Sequence, residues 1–209
     1  MNIWSTFRFV PPIAPEAMAW AALSFATYLA ASEMQPQIGG HVLAPLALAV
    51  AIQLVLSTTR HLTSYKFARS YARAPKTSIA LPALLFCGFA AIALRAPDVV
   101  AVKLMILYYL GFAAILSWGA AYAPRYLYYM QGTWTGSKKA HRSQAVMLEA
   151  AGLVICAATL VTTWTFAGPM AFAAMMSIGV LVMRTMANWV IVLYLLDVRD
   201  RDETRGGER

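Results

Sequence analysis

Cysteine and histidine, which carry much metal and thiol chemistry, are rare in this chain. It has two cysteines among 209 residues, Cys87 and Cys156, and both lie inside long apolar stretches, which does not fit a disulfide framework. His41, His61 and His141 lie at the edge of such a stretch or in the polar connections between stretches. Haem ligation in a membrane needs histidines inside the apolar stretches, and zinc needs them clustered with cysteines or carboxylates. The sequence therefore predicts neither a metal nor another cofactor.

Short catalytic motifs are missing as well. The chain contains no HExxH motif, no phosphate-binding P-loop and no GxSxG turn, the patterns that place a metal, a nucleotide or a nucleophilic serine. Their absence favours a non-catalytic protein. One enzymatic alternative stays open, because His61, His141 and Glu149, with the basic residues near them, supply the base and the cationic clamp that a lipid-phosphate enzyme needs.

Charge is scarce and unevenly divided between the two signs. Only 12% of the residues are charged and 60% are hydrophobic, with a mean hydropathy of +0.60. A water-soluble chain of this length cannot bury so much apolar surface, so these values predict an integral membrane protein. There are 9 acidic and 17 basic residues, which leaves a net charge of +8.

Long apolar runs make up most of the sequence. A helix needs about 20 predominantly apolar residues to cross the hydrocarbon core, and about six segments approach that length. Runs this long fit helices, which satisfy their backbone groups internally, better than the alternating strands of a barrel. We predict an all-α bundle of three helical hairpins, with reversals near Gly39, Pro97 and Gly168, in one membrane domain over residues 1–197. The spans are expected at residues 13–32, 41–57, 78–94, 99–123, 145–166 and 171–196.

The distribution of Lys and Arg predicts the orientation of these spans. Basic residues concentrate in the connections 60–76 and 125–142 and in the C-terminal tail, whereas the opposite side carries Glu33 and Asp98 against Arg95 alone. Short basic loops resist translocation, so both termini are expected in the cytoplasm. The positive net charge then reflects topology and attraction to anionic lipid headgroups, and we predict no nucleic-acid partner. The alanine-rich composition and this charge pattern suit a bacterial inner membrane.

The two basic connections also contain many aromatic residues. Amphipathic rings and long basic side chains both favour the headgroup layer, so these segments are expected to lie along the inner leaflet. The alternative is a docking site for a lipid headgroup or for a partner subunit. The residues predicted to form this basic rim are Lys66, Arg69, Arg73, Arg125, Lys138 and Lys139.

The last hairpin contains ionisable residues inside apolar runs, where insertion costs about 2.5 to 3.5 kcal/mol each. One helical face of the fifth span carries Glu149 together with small and polar residues at steps of three and four. Arg184 and Asn188 share a face of the sixth span, and an antiparallel turn near Gly168 brings both faces together. We predict a Glu149, Arg184 and Asn188 cluster. It either fixes helix packing or forms a coupling or substrate site for a proton or a small anion.

Two further features complete the prediction. Lys103 lies about one turn inside its span and is a weaker candidate for a site or pore residue, because a lysine there can reach the surface. The tail 198–209 mixes both charge signs without apolar anchors and is expected to be disordered. The small size and the missing motifs favour a non-catalytic subunit or assembly component of a larger membrane complex, with a membrane-protein partner or a second copy. A small transporter or channel that uses Glu149 and Arg184 is the alternative.

Overall fold

The fold is all-α, as predicted, with 92% of the described residues in helices. The computed structural model describes the backbone of residues 15–38, 40–56, 77–122 and 139–206. In these residues the elements are, in chain order, α1 (Pro15–Met34), β1 (Gln37–Ile38), β2 (His41–Val42), α2 (Pro45–Leu56), α3 (Thr77–Arg95), α4 (Asp98–Tyr122), α5 (Lys139–Ala174), a π-helical turn (Met175–Gly179) and α6 (Val180–Gly206).

Chain reversals occur where Gly and Pro predict them. Between α1 and α2 the strands β1 and β2 pair antiparallel, with Ile38 opposite His41, and Gly40 has a positive φ of 82°. Between α3 and α4 the chain turns at Pro97, whose carbonyl accepts the Val100 N–H at 2.9 Å. Proline cannot continue a preceding helix but fits the first turn of the next one, so it separates α3 from α4.

Within the described residues, two helical stretches are long and apolar enough to cross a membrane, Asp98–Tyr122 with 25 residues and Ser143–Val198 with 56. Only 44% and 39% of their most apolar windows are buried within the protein. The core helix of a soluble protein is mostly buried, so these exposed apolar faces favour membrane insertion. A straight helix of that second length would be ~84 Å long, whereas this one is broken at Gly168. The finer expectation of six separate spans stays a prediction.

The buried core lies mainly where α2, α4 and α5 meet the π-helical turn and the start of α6. Helices α4 and α5 share an extensive interface, and α1 contacts both the π-helical turn and α2, where the Ser24 hydroxyl donates to the Ala49 carbonyl at 3.3 Å. Apolar side chains of Leu, Met and Phe fill this region at close-packed density, which fixes how the helices sit against each other. The largest fully buried side chains include Phe172, Leu46, Leu54, Met105, Leu116, Leu153 and Leu160.

Asp98 ties the start of α4 to the start of α2. Its Oδ1 accepts the backbone N–H groups of Leu46 and Ala47 at 3.0 and 3.3 Å. The first N–H groups of a helix have no partner within the helix, and a carboxylate both satisfies them and complements the positive end of the helix dipole. From the sequence alone, Asp98 indicates only that its connection lies on the side opposite the basic loops. Its role as a cap for a helix about 50 residues away comes from the structure.

We expect Asp98→Ala to destabilise the protein by about 0.5 to 2 kcal/mol, the range for removing an N-terminal cap. Asp98→Asn is the matched control, because its amide oxygen still accepts an N–H, and it should lose less. The free energy of unfolding of both variants can be measured in mixed micelles with increasing SDS, followed by tryptophan fluorescence. Equal losses for Ala and Asn would show that the accepted hydrogen bonds do not stabilise the contact between α2 and α4.

The charged tail differs from its prediction. The sequence predicts disorder from Val198 onward, but α6 continues to Gly206. Asp197 and Arg201 form an ion pair one turn apart at 2.8 Å, with both side chains more than half exposed. Pairs at this spacing support an exposed helix by about 0.3 to 0.5 kcal/mol, and the preceding apolar helix supplies the nucleus from which it extends. The tail is helical to Gly206 and exposed at Arg201.

Candidate functional site

The candidate site lies in the hairpin that α5 and α6 form around Gly168. Gly168 has φ 84° and ψ −175°, a backbone conformation essentially restricted to glycine, and Pro169 begins the helical residues that follow. This break reverses the chain. Opposing residues of the two arms therefore lie at nearly equal distances along the chain from Gly168, as the sequence predicts.

Close contacts along the hairpin define its register. A Cβ added at Gly152 would lie 3.1 Å from the Cβ of Ala187, so the two helices approach each other closely at this level. Farther from the turn at Gly168, the Tyr194 hydroxyl donates a hydrogen bond to Oε1 of Gln144. Small residues permit such an approach between helices in a membrane, where packing takes over from the hydrophobic effect.

Glu149 and Arg184 form an ion pair between the two arms, as predicted. Nη2 of Arg184 donates to Oε1 of Glu149 at 3.3 Å, and the side chains are 30% and 12% exposed, respectively. The Glu149 side chain is thus nearly buried, and the arginine side chain is partly exposed along its length. Arg184 lies closer to the turn than the level of Glu149, so its long side chain must extend along the helix to meet the carboxylate.

Two tyrosines of α4 complete the surroundings of Arg184. The guanidinium interacts electrostatically with Glu149, with Tyr108 and Tyr109, and with the Cys156 thiol. Both tyrosines are almost fully buried, and their rings meet edge to face at a centroid distance of 5.1 Å. A buried tyrosine hydroxyl usually finds a polar partner, which explains polar side chains at this otherwise apolar helix face. The arginine therefore pairs with α5 and lies within electrostatic range of the two buried tyrosines of α4.

Asn188 does not belong to the pair, in contrast to the predicted cluster. Its side chain is exposed, and no hydrogen bond to its amide is present within residues 15–38, 40–56, 77–122 and 139–206. Successive helical residues are rotated by about 100°, so Asn188 lies about 40° around the helix from Arg184. That rotation carries its short side chain away from α5, whereas the longer arginine still reaches across.

The remaining predicted site residues are separate from this hairpin or not described. Lys103 is exposed near the start of α4, as expected for a lysine that extends to the surface. Lys139 begins α5, but its side chain is outside the described residues, as are Lys66, Arg69, Arg73, Arg125 and Lys138. The predicted basic rim therefore stays a prediction.

The arrangement can hold helices together or bind one small charged group, but it does not resemble a hydrolytic or metal centre. In the part of the chain that the structure describes, no three His, Cys, Asp or Glu residues are grouped so that they could hold a metal ion. Cys156 is a buried free thiol and Cys87 an exposed one. Sequence reasoning missed Tyr108 and Tyr109. The available signal was two adjacent polar aromatics in the middle of an apolar run.

Comparison of the chain with protein-family models, with curated proteins and with solved structures finds no match. The functional argument therefore rests on the geometry of the α5–α6 hairpin and on the exposed faces of the helices.

Proposed function

We propose that this chain is a multi-pass protein of a bacterial inner membrane, with six spans and both termini in the cytoplasm, and that it serves as a non-catalytic subunit or assembly component of a larger membrane complex. The observation that carries the proposal is the closed Glu149–Arg184 pair. Its carboxylate is 12% exposed and lies between packed helices. A site that exchanges a solute with water needs access to its charged groups, and this geometry favours a pair that fixes helix packing.

The outer surfaces of the helices support the same role. Large apolar side chains are exposed along α4, α5 and α6, among them Leu107, Trp118, Ile155 and Val190. In a membrane such faces contact either lipid or the helices of another protein. A small chain with apolar outer faces and no assembled catalytic group among its described residues fits a component that binds other membrane helices.

Copurification in a mild detergent tests this proposal. The tagged chain is isolated from its native membrane in two detergents of different micelle size, and every copurifying protein is quantified. We expect one partner at a constant molar ratio in both detergents, retained by the control variant Arg201→Met, whose exposed pair lies outside the hairpin core. A chain that is well folded and travels alone in both detergents would contradict the subunit role.

A transport function is the second candidate, favoured by the exposed part of Arg184. An ion pair inside an apolar helix hairpin, with 30% of the Arg184 side chain exposed, is the kind of arrangement that marks proton and ion pathways in membrane proteins. Purified protein in liposomes with an internal pH dye or an anion probe measures this activity. Flux that is present in wild type and lost in Glu149→Gln, with folding unchanged, would favour the transporter over the subunit.

A further inference from the structure

One face of α6 is already occupied by α5. The residues on it repeat at steps of four and three, so they form one continuous stripe along the helix. They are buried or make the hairpin contacts described above. This inner stripe consists of Val180, Arg184, Ala187, Ile191 and Tyr194.

A second stripe lies one residue further along, and therefore about 100° around the helix from the inner stripe. It has the same steps of four and three. Asn188 is exposed, and the other four members are half-buried. This stripe, here called the α6 seam, consists of Leu181, Thr185, Asn188, Val192 and Leu195.

The residue types of the α6 seam match a helix dimer. Steps of four and three repeat every seven residues, the spacing at which two helices keep the same face toward each other. Leu181, Asn188 and Leu195 hold one position of the heptad, and the β-branched Thr185 and Val192 hold the other. β-branched residues at the first core position with leucine at the second favour two parallel helices. Asn188 takes a leucine position in this pattern, so in a dimer the two copies of its amide face each other within the contact.

Asn188 supplies the hydrogen-bond complementarity. The Thr185 hydroxyl is satisfied within its own helix, since it donates to the Leu181 carbonyl at 2.8 Å. The Asn188 amide has no hydrogen-bond partner among the described residues, although it lies inside the predicted sixth span. A carboxamide carries both a donor and an acceptor, so two of them can satisfy each other. A two-fold axis along the membrane normal keeps the two copies of one residue at the same depth.

We propose that a second copy of this chain covers the α6 seam, and that the two Asn188 amides hydrogen-bond to each other across the two-fold axis. The proposal goes beyond the subunit role, because self-association needs no other partner. The two proposals share only the premise that α6 crosses the membrane.

The neighbouring outer stripe of α6 does not fit this contact. Val182, Met186, Trp189 and Leu193 are exposed, and their side chains are apolar or amphipathic. Lipid chains solvate such residues without cost, so this stripe does not require a protein partner. The unsatisfied amide therefore selects the α6 seam over the outer stripe.

Disulfide cross-linking in native membranes tests the position of the contact. In a background with Cys87→Ser and Cys156→Ala, one cysteine is introduced at the seam by Leu195→Cys, or on the outer stripe by Leu193→Cys as the control. Symmetric seam residues come close to the Cα separation of about 4.4 to 6.8 Å that a disulfide requires. We expect at least ~10-fold more oxidised dimer from Leu195→Cys. Equal cross-linking of both, more from Leu193→Cys, or none from Leu195→Cys would overturn the proposal.

A second measurement tests the role of the amide without any introduced cysteine. Self-association of the purified, singly labelled chain in liposomes is followed by energy transfer at increasing protein-to-lipid ratio. We expect Asn188→Ala to weaken it about 3- to 30-fold, which corresponds to about 0.6 to 2 kcal/mol for a hydrogen bond between membrane helices. Asn188→Gln should retain most of the affinity, and the outer-stripe variant Met186→Ala should match wild type. An Asn188→Ala protein that dimerises like wild type would overturn the amide pairing.

The results separate the two proposals. Wild-type chain that dimerises alone through the α6 seam, yet copurifies with no other protein, would support the inference and contradict the heterologous subunit role. A chain that copurifies with a constant partner but forms no cross-link at the α6 seam would support the subunit role and contradict the dimer.

Discussion

Arg184→Met is expected to lower the free energy of unfolding by about 3 kcal/mol, the lower end of the range for breaking a buried ion pair. The lower end applies because 30% of the arginine side chain is exposed. The variant leaves the Glu149 carboxylate, which is 12% exposed, without its arginine partner in an apolar surrounding. A buried carboxylate that loses its counter-charge pays most of its desolvation cost. Unfolding by SDS in mixed micelles, followed by tryptophan fluorescence, measures the difference.

The exposed pair of Arg201 and Asp197 provides the matched control. This pair also joins an arginine to a carboxylate, at 2.8 Å, but its side chains are 72% and 54% exposed. Exposed pairs contribute about 0 to 1 kcal/mol, so Arg201→Met should leave stability almost unchanged. An Arg184→Met protein as stable as Arg201→Met would show that the hairpin does not depend on its ion pair.

The double variant Glu149→Leu with Arg184→Met shows whether stability requires the ion pair itself or only the absence of an unpaired buried charge. Replacing both members of a buried pair by apolar residues is often neutral or stabilising. We therefore expect the double variant to recover most of the stability lost by Arg184→Met. Recovery of folding together with an unchanged partner would identify the pair as a packing element. Recovery of folding with loss of flux in liposomes would identify it as a transport site.

Gly168→Ala should have the next largest effect. At φ 84° and ψ −175° an alanine is strained whatever the space around it, and the cost is about 1 to 3 kcal/mol. No atom lies within 4 Å of the position of an added Cβ, so the expected loss is one of backbone strain alone. The same SDS titration measures this loss of stability. The Glu149–Arg184 contact also depends on the chain reversal at Gly168.

Gly111→Ala is the control for this substitution. Gly111 lies inside α4, and a Cβ added there also meets nothing within 4 Å. Alanine in a helix interior is favoured over glycine by about 0.5 to 1 kcal/mol, so this variant should be as stable as wild type or more so. If Gly168→Ala behaved like Gly111→Ala, the reversal would not require a glycine conformation.

Local features of the fold could be predicted because their causes are local in sequence. Apolar runs and punctuating Gly and Pro residues predict helices close to those observed, for example 99–123 for Asp98–Tyr122. The Glu149–Arg184 contact was predictable for the same reason. Both residues belong to one hairpin, and a known turn position determines which residues of two antiparallel helices oppose each other.

Asn188 and the tail show where this reasoning is insufficient. Asn188 and Arg184 are four residues apart and share a face in outline, but the reach of the side chain decides which one contacts Glu149. The tail has the composition of a disordered segment, but it continues an existing helix, and extension costs far less than nucleation.

By itself, the sequence determined the helical class, the points of reversal and the ion pair of the last hairpin, because each depends on neighbours within one hairpin. Only the tertiary structure decided that Asp98 caps α2, that Tyr108 and Tyr109 lie near Arg184, and that Asn188 is exposed on α6. These depend on how separate helices pack. Apolar residues suit both the lipid and the protein interior in a membrane, so the hydrophobic pattern does not distinguish inward from outward faces.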